Sequence, residues 1–337
     1  MSSATATVVR RDMSASGERP VSPATERARA FVAARLERAE ALGRALADDV
    51  QNPADLADAL RTAFGELADP EYLDGQHYVA PGLGDTHGVR TPLLGALGRG
   101  FLAATRRDSP ATLLFVADRL LRERELEARW FAFRILERTL AREPERTWQL
   151  LRRAGREAAD WITVDSLAHP MARGILAEPY RWAELEQLAF APSPWERRLV
   201  GSTIATIPFV NRTTGRSPDI ARRGLELLAL LIGDAEPDVQ KSLAWAYRSM
   251  AMVDRPATGA ALEAEADRAA ETGDGHRAWV VRDALEKLDP ADAARIGARV
   301  AGLRRRPGAP STSTAAATAA RFADLPLGGP MPEPPLT

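Results

Sequence analysis

The chain has no cysteine, which excludes disulfides, thiol nucleophiles and thiolate metal sites. Histidine is scarce. His77, His87, His169 and His276 are scattered, with no H-E-x-x-H and no i,i+4 ligand pair, so neither a metal nor a cofactor is expected. Lysine is almost missing: Lys241 and Lys287 are the only two, leaving 43 of the 45 basic residues as arginine. A GC-rich coding sequence would produce that bias, and it supplies planar bidentate donors wherever arginines line a groove. No run approaches the ~18 apolar residues of a membrane helix, and the N-terminus has no apolar signal region, so neither a membrane partner nor secretion is expected and a cytoplasmic location is. No G-x-S-x-G elbow appears. The glycine-rich G-L-G-D-T-H-G (82–88) lacks a preceding strand and a G-K-[ST] ending, so it reads as a helix-connecting loop.

What is present is ordinary in bulk and patterned in detail. With 337 residues, 45% hydrophobic and 27% charged, the chain can bury a sizeable core. Its net charge of −1 does not by itself announce a nucleic-acid binder. Apolar residues recur at i, i+3, i+4 and i+7 in A-T-L-L-F-V-A-D-R-L-L, R-W-F-A-F-R-I-L-E-R-T-L and I-A-R-R-G-L-E-L-L-A-L-L-I, the signature of amphipathic helix. Thr91-Pro92, Ser109-Pro110, Ser193-Pro194 and Ser217-Pro218 read as N-caps followed by proline in the first turn. Strand-like alternation is absent, so the fold class is all-α. Helix pairs are predicted to begin near Ser109, Glu145, Trp182, Ser217 and Pro256, a 35–40-residue period that fits a HEAT-like solenoid with a concave face, a helical bundle being the alternative. Residues 1–22 read as a disordered tail, 23–306 as one α-superhelical domain, and 307–337 as a low-complexity tail.

Three segments carry chemistry: D-W-I-T-V-D (160–165), S-P-W-E-R-R (193–198) and D-V-Q-K-S-L-A-W-A-Y-R (238–248). Helical spacing puts Trp161 over Asp165 and Lys241 over Trp245, with Arg198 three residues after Trp195. Aromatic rings, one acid and forked cations on neighbouring helices suit a flat, charged ligand attached to phosphate, as nucleic acid is.

Together with H-G-V-R-T-P-L-L-G-A-L-G-R and L-E-A-R-W-F-A-F-R-I-L, these segments resemble the DNA alkylation repair glycosylases built from HEAT-like repeats, over about Tyr78 to Leu288. The resemblance implies hydrolysis of the N-glycosidic bond of cationic N3- or N7-alkylated purines in duplex DNA, without cofactor or metal, by a nucleoid-associated monomer. It implies Asp165 as the catalytic carboxylate and Trp161 and Trp245 as the rings flanking the lesion. Arg198 would grip phosphate, with Arg248 and Lys241 also facing DNA. A desolvated Lys241 could in principle form a Schiff base with the sugar, but the resemblance argues against a lyase. Trp195 is expected to pack beneath the groove, and Trp130, Trp148 and Trp279 to serve the core. His87 stands where the family commonly has an aromatic residue. The rival reading is a HEAT-like scaffold that binds DNA or protein and catalyses nothing.

Overall fold

The computed structural model describes residues 22–79 and 84–321, and within these the chain is helical throughout apart from one isolated bridge between Ala68 and Val89. The first helices are α1 (Pro23–Ala33), α2 (Leu36–Ala45), α3 (Pro53–Leu67), α4 (Pro70–Val79) and α5 (Thr91–Ala104). A regular series follows: α6 (Pro110–Leu121), α7 (Leu126–Thr139), α8 (Pro144–Glu157), α9 (Trp161–Ala177), α10 (Arg181–Ala189) and α11 (Pro194–Val210). It continues through α12 (Pro218–Leu231), α13 (Pro237–Ala251), α14 (Arg255–Thr272), α15 (Gly275–Ala284) and α16 (Pro290–Val300) to the short α17 (Thr314–Ala320). The even-numbered helices α6 to α16 begin at 110, 144, 181, 218, 255 and 290, so the repeat read from the sequence is present. No helix among the described residues is long and apolar enough to cross a membrane.

Helices α5, α7, α9, α11, α13 and α15 pack side by side as an inner layer, and each hairpin partner covers them from outside. This is a helical-repeat solenoid, in which each unit buries its apolar face only against its neighbours. The middle of the stack is the most enclosed part. Every residue from Arg198 to Pro208 on α11 is buried, because α11 is flanked by α9 and α13 and backed by α10. Gly201 makes that closeness possible: a Cβ there would lie 2.4 Å from Ser242 Oγ of α13. The Ser109 and Ser193 hydroxyls do cap their helices, accepting from Thr112 and Trp195 N–H groups. Ser217 makes no such bond, and Thr91 is already helical, with Arg90 at the cap position.

Two features outside the repeat pattern hold the stack together. The loop before α5 is anchored by Glu127 of α7, whose carboxylate is fully buried. Its Oε1 accepts from Thr86 Oγ1 (2.8 Å) and from the consecutive backbone N–H groups of His87, Gly88 and Val89 (3.0, 2.9 and 3.2 Å). Three adjacent amides can converge on one oxygen because Gly88 adopts φ +75°, where L side chains are strained. His87 packs its ring 5.6 Å from that of Phe64, filling an aromatic's place.

The other feature is the C-terminal segment. Residues 307–321, read as part of a tail, are docked: Thr312 N–H donates to Gly233 O (2.8 Å) and Ser311 Oγ accepts from Ala235 N–H (2.8 Å). Arg305 donates to Gln240 Oε1 and stacks on Trp279, and α17 packs on α12. The N-terminal tail through residue 21 lies outside the described residues.

Removing the Glu127 carboxylate would strand four donors in the interior. Glu127→Ala is therefore expected to cost about 2–4 kcal/mol, and Glu127→Gln less, read as a lowered midpoint of denaturant unfolding. A midpoint unchanged in both variants would remove the anchor's role.

A tryptophan-lined candidate active site

The inner helices and α4 enclose one large cleft of about 880 Å³, within the ~300–1,000 Å³ usual for small-molecule sites. Helix α9 forms its floor with two parallel rows at one-turn spacing: Trp161, Asp165 and His169, and beside them Ile162, Ser166 and Pro170. The helix start sets this register. Asp160 is the N-cap, its Oδ1 accepting from Thr163 N–H and its Oδ2 from Thr163 Oγ1, both at 2.7 Å. Trp161 is thereby the first helical residue and Asp165 stands one turn further on. Pro170, inside the helix, lacks the N–H that would bond the Ser166 carbonyl.

The second cleft wall is α7, through Trp130, Phe133, Arg134 and Glu137, and Trp245 of α13 closes one end. Tyr72 and Gln76 of α4, with Leu94 and Gly95 of α5, complete the opposite side. Trp161 and Trp245 are thus brought together as the sequence predicts, both half-buried. Trp130, assigned to the core from sequence, is a third tryptophan of the same cleft. The signal for it was present: Trp130, Arg134 and Glu137 recur at i, i+4 and i+7, one face of α7.

Asp165 is held from behind. Arg198 donates to it through a two-pronged fork, Nε to Oδ1 at 3.1 Å and Nη2 to Oδ2 at 2.8 Å. Ser202, one turn further along α11, donates to Oδ1 at 2.6 Å. Arg198 also donates from Nη1 to the Asp238 carbonyl (2.6 Å), tying α9 and α11 to the start of α13. Its side chain is only 6% exposed, against 23% for Asp165. The arginine read as a phosphate grip therefore lies beneath the carboxylate, with its fork already filled.

The other two expected DNA ligands lie on α13 but do not line the cleft. Arg248 donates from Nη1 to the Asp283 carboxylate (2.6 Å) and carbonyl (2.7 Å). Lys241 is exposed, with its Nζ 3.3 Å from Asp238 Oδ1, and is not desolvated as a Schiff-base lysine needs. Trp195 packs against the core beside Arg198. Trp148 is fully buried, donating its indole N–H to Glu184 (2.6 Å). Trp279 lies under Arg305.

Crowding by the cleft walls desolvates the His169 ring and draws its pKa below the ordinary histidine value, although one edge reaches solvent. Nearby Arg173 and Arg134 push the same way, against Glu137 and Asp165. The uncharged form of the ring is thereby favoured.

The profile of the family described as "DNA alkylation repair enzyme" matches residues 60–288, the span that contains all of the cleft and its supports. The chain belongs to that family. Membership places it among enzymes that repair alkylation damage in DNA. No curated protein sequence matches the chain. The family match begins within α3, so it takes in the α4 wall of the cleft, upstream of the segments that carry the resemblance in sequence.

If Arg198 serves Asp165 and not phosphate, Arg198→Gln should lose the fork and about 3–5 kcal/mol of stability. The salt dependence of duplex binding should keep its wild-type slope. A slope shallower by about 0.9 would instead identify a direct phosphate contact.

Proposed function

We propose that this family member is a DNA glycosylase that hydrolyses the N-glycosidic bond of cationic N3- or N7-alkylated purines in duplex DNA, leaving an abasic site and using no cofactor. The observation that carries this reading is the state of Asp165. A carboxylate offers about four lone-pair positions, and Arg198 and Ser202 fill three of them from the buried side. One remains for the cleft. That geometry suits a fixed negative charge with a single acceptor site for water.

An alkylated purine that already carries positive charge is a good leaving group. As the C1′–N bond breaks, its electron pair returns to the base and neutralises it, while positive charge moves onto the deoxyribose. Asp165 stabilises that charge across the cleft without having to reorganise, the condition under which electrostatic catalysis is most effective. The water bound at its free lone pair is oriented toward C1′, and the proton it loses on attack passes to the carboxylate or to solvent. Trp161 and Trp245 offer π faces to the cationic base or sugar, worth about 0.5–2 kcal/mol each. Trp130 adds a third. Neutral His169 lets the cleft accept a cation without repulsion from its floor. Lys241, whose exposed pair with Asp238 is worth little, is free to meet the backbone; Arg248 would first have to release Asp283.

Asp165→Asn removes the charge but keeps the shape, so single-turnover base release should fall by about 10²-fold or more while lesion-duplex binding stays within a few fold. Turnover like that of the wild type would refute the mechanism. Acid should also slow the enzyme relative to the uncatalysed reaction. Because the His169 pKa is lowered, this loss sets in below the ordinary histidine range, where the ring protonates and repels the cationic lesion. His169→Gln should abolish that acid-side loss, and a pH profile identical in wild type and variant would show that His169 has no such role.

A further inference from the structure

Two arginines on the cleft rim have no acidic partner. Arg99 of α5 and Arg134 of α7 are both exposed, and among the described residues neither makes an ion pair or a side-chain hydrogen bond. Their surroundings seat them at the rim. Arg99 Nη1 lies 3.7 Å from where a Cβ of Gly95 would be, and Gly95 lines the cleft. Arg134 Nε lies 3.2 Å from the equivalent point on Gly98, one turn away, so its guanidinium stem rests across α5. A Cβ at Gly98 would press on the Arg134 side chain, whereas one at Gly95 would make ordinary contact with Arg99. Compensation of helix dipoles does not explain them, since neither residue is in the last turn of its helix. The other arginines near the cleft are engaged: Arg198 with Asp165, Arg173 with Glu137, and Arg248 with Asp283.

We propose that Arg99 and Arg134 form a phosphate clamp on the rim of the tryptophan cleft, holding the DNA backbone beside the nucleotide whose sugar faces Asp165. The proposal rests on the reading that the cleft receives a damaged nucleotide of duplex DNA. Its chemistry is that of two planar guanidinium forks, each free to meet a phosphodiester with paired N–H donors. Adjacent packed helices lie about 8–10 Å apart, so forks from α5 and α7 can reach successive phosphates of one strand.

The test is fluorescence anisotropy of the full chain with an undamaged labelled duplex across a salt series, so that binding is read without catalysis. Each lost phosphate contact should lower the slope of log K against log salt by about 0.9. Arg99→Ala/Arg134→Ala together should lower it by roughly twice that, and the paired lysine substitutions should restore most of the loss. Arg222→Ala removes one charge from the outer layer and should leave the slope unchanged. The clamp is overturned if the double alanine variant, folded by circular dichroism, keeps the wild-type slope, or if Arg222→Ala loses as much per charge. Should the slope fall as expected while the wild type releases no alkylpurine, the clamp stands and the glycosylase reading fails.

Discussion

The pairing of Asp165 with Arg198 governs both the architecture and the chemistry of the cleft. A carboxylate facing an apolar, three-tryptophan cavity would be costly to hold without a partner. Arg198, buried in the most enclosed helix of the stack, provides a charge-assisted fork, and Ser202 adds a third donor. The same guanidinium reaches the start of α13, so the elements that carry Trp161, Asp165 and Trp245 are joined at one point. The close approach at Gly201 supports this from the backbone side. Rigid support of this kind suits a reaction in which the enzyme must stabilise charge that develops at a fixed position.

Charge is divided between the two sides of the protein's working surface. Arginine is abundant, yet most arginines near the cleft are bound to acids on neighbouring helices, which explains how a chain of net charge −1 can still meet DNA. Under the proposed clamp, the unpartnered cations on the rim, and not the overall charge, would meet a phosphate backbone. Inside, Asp165, Glu137, the aromatic faces and the His169 ring line the cleft alongside Arg134.

The features legible in the sequence were those encoded within one helix. The repeat period followed from hydrophobic spacing, and Trp161 with Asp165 followed from their i, i+4 spacing. Trp245 was legible because it shares its helix with Lys241 and Arg248. Contacts between helices were not legible. The fork from Arg198 to Asp165 joins residues 33 apart, so an arginine beside a tryptophan read equally well as a phosphate ligand. Trp130 read as core because a helical tryptophan usually is, and the stacking of α7 on α9 turns its face to the cleft. The segment 307–321 has the composition of a low-complexity tail, but its hydroxyls find partners at Gly233 and Ala235 that local sequence does not reveal.

In the proposed reaction the cleft releases purines because they are cationic. The decisive assay measures free base and abasic strand formed from two duplexes, one with a single N7-methylguanine and one with its neutral isomer O6-methylguanine. A cleft selective for cationic bases gives equal amounts of free N7-methylguanine and abasic strand from the first duplex and no release from the second. Comparable release from both, or from neither, would contradict it.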